Sequence, residues 1–416
     1  MTWARRFRLR EYLRGSLWFV PLIAAALGPP LAAACVALEG TVEIPEQWQY
    51  SAGTASTLLT AIVGAMVALT GFVVTVGVLI VQMATGMLSP RFMRLWYRDR
   101  LQKAVLGILL GTLTFSFALL RNVEGDSVPD LGIAVAGLLV LVGLVLFLLY
   151  FDRFVHRLRP VFVASLVGRA GARVFAETDG AAAAGPQPAR PPGPPSLVIH
   201  SDEPGAIQAI HERGLLSAAV RGGCEIGLCH PVGDFVTRGT PLLEVWGPPG
   251  LDARRFRGMV ALGDERTLEQ DAAFALRIMV DIALMALSPA VNAPTTAVQV
   301  LNYVEELLQR IGEQAFGAGK LLRDKSGTAR VMLRGRGWEE YLELGVVEIR
   351  VYGAGAPQVT RRLRAVLQSL AERVDPVHRP AVAEQLALID AAVAGCEPDE
   401  ASRTYALHAD RQGIGG

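Results

Sequence analysis

Four stretches of the chain contain no Asp, Glu, Lys, Arg or His: Gly15–Leu38, Gln47–Pro90, Ala104–Leu120 and Leu131–Phe151. At a rise of about 1.5 Å per residue, each reaches or nearly reaches across the roughly 30 Å hydrocarbon core of a bilayer. The pattern predicts four spanning helices, over about 15–38, 57–88, 104–120 and 131–151, within a transmembrane domain of residues 15–160. A cleaved signal peptide is the alternative for the first, given its basic start and the small residues Ala32–Ala34. Its apolar run exceeds an ordinary signal core and three further spans follow, so it is read as retained. Pro21 and the Gly28-Pro29-Pro30 run predict a kink or break, because proline removes a backbone donor and clashes with the preceding turn. The carbonyls so freed must be met by neighbouring helices or by water.

The second span has a periodicity of its own. Thr60, Gly64, Gly71, Thr75, Gln82 and Gly86 follow at intervals of 4, 7, 4, 7 and 4 residues, which puts them within about 80° of one another on a helix. Such a small, polar face serves either close helix packing or the wall of a pore around a symmetry axis. From Thr57 to Leu88 the helix would measure about 48 Å, so part of it is expected to project into the cytoplasm. Ion-coupled transporters ordinarily place ionisable residues within the bilayer, and these spans hold none. The pattern disfavours coupled transport and leaves passive permeation or simple anchoring.

Beyond the fourth span the periods shorten. Val161–Ala176 reads as a basic amphipathic continuation and Ala181–Pro195 as a Pro/Ala linker with no means of packing a core, together a juxtamembrane segment over 161–196. Residues 197–262 read as a β-rich module, with Val198 and Ile199, Leu215–Val220, Glu225–Leu228, Asp234–Val236 and Leu242–Trp246 as short strands about an Ile207–Glu212 segment. The stretch His230–Trp246 is similar to the turn-rich half of a biotinyl/lipoyl-type barrel sandwich. That likeness implies positive-φ turns at Gly233 and Gly239 and a small core including Phe235, Leu242 and Val245. No lysine occurs between Lys103 and Lys320, so the modification such domains often carry is absent, and the module would be structural or an interaction surface.

Residues 263–396 are expected to form an α+β domain, so the whole is a four-span membrane protein with a mixed α/β cytoplasmic region. Thr267-Leu-Glu-Gln270 fits a capping box for a helix over Asp271–Leu287, stopped by Ser288-Pro289, and Pro294 opens a second helix to about Ile311. Arg266, Gln270, Arg277 and Asp281 fall within about 60° of one another, a polar stripe readable as an ion-paired or solvated face or as a seat for an anionic ligand or a symmetry mate. Trp338–Ala394 suggests a strand at Val346–Val351 and two helices, with Ser326–Val331 a further strand. Arg361, Arg362 and Arg364 read as a solvated helix face, and residues 397–416 as a mobile tail.

Composition agrees with the apolar pattern: of 416 residues 51% are hydrophobic and 19% charged, at a mean hydropathy of +0.36, too apolar for an ordinary soluble domain. The 40 basic and 39 acidic residues nearly cancel, which excludes nucleic-acid binding resting on excess charge, and four scattered cysteines exclude a disulfide scaffold. Their distribution is uneven, with 16 basic and 9 acidic residues before Ala176 against 24 and 30 from it onward. Arg5, Arg6, Arg8, Arg10 and Arg14 crowd the N-terminus (1–14), Arg91, Arg94, Arg98, Arg100 and Lys103 the second connection, and Arg153, Arg157, Arg159, Arg169 and Arg173 the end of the fourth span. The other connections carry Glu39, Glu43 and Glu46, or Arg121 against Glu124, Asp126 and Asp130. Because basic residues resist translocation, both termini are expected in the cytoplasm. Trp3, Trp18, Trp48, Trp96, Tyr97 and Tyr150 fall near span ends, at headgroup level.

Catalytic patterns give no positive support for an enzyme. Cys224 and Cys229-His230 lack a second ligand pair at zinc-site spacing, and no metal or other cofactor is expected. There is no H-E-x-x-H pair, Walker loop, G-x-S-x-G elbow or kinase signature. Gly353-Ala-Gly355 is too little for a dinucleotide site, and Glu305-Glu306 and Glu339-Glu340 are sequence neighbours rather than an arranged acid and base.

The run from Asp264 through Ala297, with Arg266-Thr267, Gln270-Asp271, Asp281-Ile282-Ala283 and a phrase carrying Ser288, Pro289, Asn292, Pro294, Thr295 and Thr296, resembles a bacterial family of predicted membrane proteins, DUF2254. The resemblance covers nearly the whole chain. In that family the phrase commonly reads Asn-Asp-Pro, whereas Ala293 stands here, so a carboxylate that capped a helix or held a ligand is missing. The resemblance implies the membrane topology and names no reaction. The resulting expectation is a homo-oligomeric pore or ion-channel-like protein of the bacterial inner membrane, multi-pass, with second spans facing a central axis and cytoplasmic domains assembled as a collar. Its partners would be the lipid bilayer, copies of itself, and ions or a small anionic ligand, without nucleic acid. The alternative is a membrane-anchored sensor or scaffold whose cytoplasmic domain binds a ligand or protein.

Overall fold

The computed structural model describes residues 2–39, 41, 45, 49–87, 98–123, 128–157, 159–178, 190–396 and 399–414. Trp48, Leu88, Arg91, Arg94, Trp96, Tyr97, Glu43, Glu46, Glu124, Asp126 and positions 181–189 of the Pro/Ala linker lie outside the described residues. The chain divides into two compact units: an apolar helical unit drawn from residues 12–86 and 98–159, and an α/β unit drawn from residues 2–11, 87 and 160–414.

Helix α1 (Trp3–Gly15) begins the chain. The helical unit is then built on α2 (Phe19–Leu38), α3 (Ala52–Met87), α4 (Arg100–Leu120) and α5 (Asp130–Arg157), four helices long and apolar enough to cross a membrane. The helical assignment of α2 runs on through Pro29 and Pro30. Proline at 29 removes the donor for the carbonyl of Ala25, and Thr114 Oγ1 on α4 donates to that carbonyl at 2.9 Å. A neighbouring helix therefore meets the freed acceptor. The two helices approach closely because small residues meet: a Cβ on Gly28 would lie 2.1 Å from Thr114 Oγ1 and 2.7 Å from the Phe115 nitrogen, while Gly111 and Gly107 face Ala24. Gly107 and Gly111 form a G-x-x-x-G pair, a spacing that lets helix backbones come together. On α3 the inward positions Ala55, Leu59, Ile62, Met66 and Val73 join Val105, Leu109, Phe115 and Leu119 of α4 and Ile133 and Ala136 of α5 in one core.

The α/β unit holds α6 (Pro160–Thr178), β1 (Leu197–His200), β2 (Gly205–Ile210), α7 (Glu212–Gly222), β3 (Glu225–Leu228), β4 (Phe235–Val236), β5 (Pro241–Trp246), α8 (Ala253–Arg257), β6 (Val260–Gly263), α9 (Ala272–Leu287), α10 (Pro294–Gly312), β7 (Gly319–Arg323), β8 (Ala329–Arg334), α11 (Trp338–Gly353), α12 (Pro357–Arg373), α13 (Arg379–Cys396) and α14 (Glu400–Leu407). Its strands form a five-stranded sheet, β1-β5-β3-β8-β7, and a three-stranded sheet, β4-β2-β6. All neighbours run antiparallel except β3 and β8, which pair in parallel with Ile226 opposite Val331. The barrel-sandwich-like module expected over 197–262 is therefore not closed on itself, since a sheet neighbour of β3 comes from residues 329–334. Gly233 and Gly239 do take positive φ, at 96° and 84°, and Leu242 and Val245 are buried. Phe235 departs from the expected core, 64% exposed on the short β4.

Other expectations are corrected by packing. Leu215–Val220 is helical in α7, which ends on Gly223 at φ 59° with backbone bonds back to Ala219 and Val220. Val346–Val351 lies within α11, where Trp338, Tyr341, Leu342, Gly345, Val346 and Ile349 are buried at helical spacing, so tertiary burial overrides the β-branched run. The amphipathic continuation Val161–Ala176 lies within helix α6, which contributes buried Val163, Val167 and Phe175 to the α/β unit, and Gly171 lets it approach Ala275. Arg361, Arg362 and Arg364 are not a common solvated face. Arg361 binds the His408 carbonyl (3.2 Å) and Asp410 (3.0 Å), Arg362 binds Asn302 (3.0 Å) and Glu305, and Arg364 binds Asp390. Residues 399–414, expected as a mobile tail, are thereby fixed to α12, with Ala406 buried and Arg361 over the Tyr405 ring. At the other end of the chain, Trp3 stacks on His211 at 4.9 Å, Ala4 donates to the Gly258 carbonyl at 3.0 Å and Arg8 pairs with Glu203 at 2.6 Å.

Candidate functional site

Helix α3 has two unlike faces. Its inward face carries the apolar core residues, whereas Thr60, Gly64, Gly71, Thr75 and Gln82 are exposed, and Gly86 lies in its last turn. No atom of the chain comes within 4 Å of the place a Cβ would occupy on Gly64 or Gly71. At Gly64 and Gly71 the stripe thus does not pack against the other helices of its own chain. Close helix packing inside the chain falls elsewhere, to Gly28, Gly107 and Gly111. Leu58, Val67, Phe72, Val78 and Leu79 are exposed on α3 as well, and the outward faces of α2 and α5 carry exposed Leu22, Leu27, Leu138, Leu141 and Leu148. Thr75 donates its hydroxyl to the Gly71 carbonyl at 2.9 Å, and Thr57 donates to Gly53 at 2.8 Å, so these hydroxyls are satisfied within the helix.

The second predicted stripe is divided by the true start of its helix. Asp271, not Thr267, caps α9, accepting from the Phe274 nitrogen at 3.1 Å. Thr267 is buried and donates to the Gln208 carbonyl at 3.3 Å. Arg266 grips the capping carboxylate with Nε and a terminal nitrogen at 2.8 and 3.0 Å, which orients the cap. Gln270 acts as a substitute strand residue, accepting from the Ile210 nitrogen at 2.8 Å and donating to its carbonyl at 3.1 Å. Arg277 and Asp281 sit within α9 and pair at 2.7 Å, while Arg277 also forms a fork to both oxygens of Glu348 on α11, at 2.8 and 2.6 Å. The Glu348 bond, joined by Asp281 and opposed by burial, holds the Arg277 guanidinium still more firmly protonated than usual. Glu348 carries no local sequence signal as a partner of Arg277, because it lies on another helix 71 residues along the chain.

The family phrase makes the corner between α9 and α10. Ser288 closes α9, its hydroxyl bonded to the Met285 carbonyl at 2.7 Å, and Pro289 follows. Asn292 takes φ 44°, the left-handed region that asparagine tolerates, and its nitrogen reaches the Ser288 carbonyl at 2.8 Å. Pro294 opens α10, Thr295 reaches Gln358 at 3.2 Å and the Thr296 nitrogen bonds the Ala293 carbonyl at 3.0 Å. Ala293 occupies the N-cap position of α10 without a capping side chain. An aspartate there would be a helix cap.

Cys224 and Cys229 are buried thiols. Burial first, then the nearby Glu244 charge, pushes Cys229 up to about 11, and burial likewise raises Cys224, so both are held as poor nucleophiles. Among the described residues no group of three or more His, Cys, Asp or Glu side chains is placed to hold a metal ion.

Comparison with known proteins places these features in a family. The model of a family described as predicted membrane protein (DUF2254) matches residues 14–369. Uncharacterized proteins of Mycobacterium bovis and of Mycobacterium tuberculosis (strain H37Rv) are each 31% identical over 434 residues, an alignment covering 97% of this chain and 81% of the relative. No solved structure matches.

Proposed function

The chain belongs to the DUF2254 family of predicted membrane proteins, and on that premise we propose that it is a homo-oligomeric, ion-channel-like protein of the bacterial inner membrane. Four helices cross the bilayer with both termini in the cytoplasm, a reading supported by the basic connections. The observation that carries the proposal is the exposed strip of small and hydroxyl residues on α3, Thr60, Gly64, Gly71 and Thr75, which runs alongside exposed Val67 and Leu79 of the same helix. A helix facing lipid gains little from glycine and threonine, whereas one facing copies of itself or water gains close approach and hydrogen bonds. Copies arranged about an axis would bring these faces together along a narrow path, and the absence of ionisable residues suits passive conduction.

A membrane-anchored sensor or scaffold, in which the same face merely packs between copies, is favoured by one observation: the Thr57 and Thr75 hydroxyls already have acceptors and need no water. Ion flux through liposomes containing the purified protein separates the two. The channel reading expects flux that Thr75→Leu lowers severalfold while assembly persists. Normal assembly with no flux at any applied voltage or osmotic load would establish the anchor instead.

A further inference from the structure

The α/β unit contains a small cleft, open to solvent, whose charged walls include Lys320, Arg334, Arg336, Glu212 and Asp271. Three cations in one small cleft would be unfavourable unless carboxylates or a ligand balanced them. Two are balanced from within: Lys320 pairs with Glu212 at 3.0 Å, and Arg336 binds Asp234 and the Val232 carbonyl, each at 2.9 Å. The Asp271 carboxylate is taken by Arg266 from outside the cleft, so its charge is offset. Four cations then stand against three carboxylates, and Arg334 is the excess. Its one terminal nitrogen donates to the Cys229 carbonyl at 2.9 Å, and among the described residues it makes no ion pair. A guanidinium carries five donors in a planar fork, so most of its bonding capacity is unused by the protein.

One further feature suits an anion. Gly317, Gly319 and Gly335 border it without side chains, leaving room beside Arg334. We propose that this cleft binds a small phosphate-bearing ligand, with Arg334 forking to the phosphate oxygens and Lys320 and Arg336 supplying additional positive charge. Phosphate is favoured over a monocarboxylate because a dianion gains from every cation of the set. The site is independent of conduction through α3.

The test uses full-length protein in detergent, titrated with inorganic phosphate and with glycerol 1-phosphate against acetate and chloride at matched ionic strength, read by calorimetry and thermal unfolding. Saturable phosphate binding is expected, weakened roughly tenfold to a hundredfold in Arg334→Gln, with Arg334→Lys between the two. Arg334→Gln should leave the melting temperature in phosphate-free buffer unchanged, because the exposed side chain contributes a single bond to the fold. Tighter binding of glycerol 1-phosphate supports a phosphorylated organic ligand, and equal binding supports free phosphate. Absence of saturable binding, equal binding by acetate, or identical affinity in Arg334→Gln overturns the proposal.

Discussion

A methyl group added at Gly28 would lie 2.1 Å from Thr114 Oγ1 and 2.9 Å from the Gly111 carbonyl, so Gly28→Ala cannot be accommodated without moving α2 from α4. Overpacking of this kind costs about 1–3 kcal/mol, measurable as a loss of thermal stability in detergent. Thr114→Val keeps the shape and removes the hydroxyl shared between the Ala25 carbonyl at 2.9 Å and the Leu110 and Gly111 carbonyls at 3.1 and 3.2 Å, for an expected loss of about 0.5–1.5 kcal/mol. At the α9–α10 corner the direction reverses. Ala293→Asp supplies the side chain that the N-cap lacks and should stabilise by about 0.5–2 kcal/mol in a chemical unfolding experiment. The need for a partner to the carbonyl freed by Pro29 was legible in the sequence, because proline chemistry is local. That Thr114 supplies it was not, since the two positions lie 89 residues apart. Gln270 and Arg266 were legible as polar residues beside a helix, but their roles against Ile210 and Asp271 depend on where β2 and the cap fall.

The four apolar helices could be read from run length alone, because few other structures tolerate such runs without charge. Short apolar runs were less informative. Leu215–Val220 and Val346–Val351 fit a strand or one face of a helix equally well, and the burial of Leu215, Ala218 and Ala219 in one and of Val346 and Ile349 in the other decided for helix. The parallel pairing of β3 with β8 joins positions more than 100 residues apart and leaves no local mark. Nor does the anchoring of residues 399–414, whose polar composition resembles a free tail. Arg361 holds that segment through His408, Asp410 and Tyr405, so Arg361→Ala should abolish hydrogen-exchange protection around Ala406 and speed proteolysis after Cys396. Protection at Leu363 and Val366 of α12 should persist, because their burial does not depend on the guanidinium.

At the scale of the molecule, an apolar helical unit and a mixed α/β unit are joined in one chain of a family whose mycobacterial members match along nearly all of it. The division into an apolar and a polar half was legible from the distribution of charge, while the two-faced character of α3 was legible from its spacing. Which neighbour that face meets was not, because spacing alone treats lipid, water and another helix alike. The direct test is substituted-cysteine labelling in liposomes, in a background lacking Cys35, Cys224, Cys229 and Cys396. A charged, membrane-impermeant thiol reagent is expected to modify Gly71→Cys and Thr75→Cys while sparing Leu27→Cys and Leu141→Cys on the leucine-rich outer faces. Failure to modify Gly71→Cys and Thr75→Cys, or equal labelling at all four positions, would contradict a water-lined α3 face.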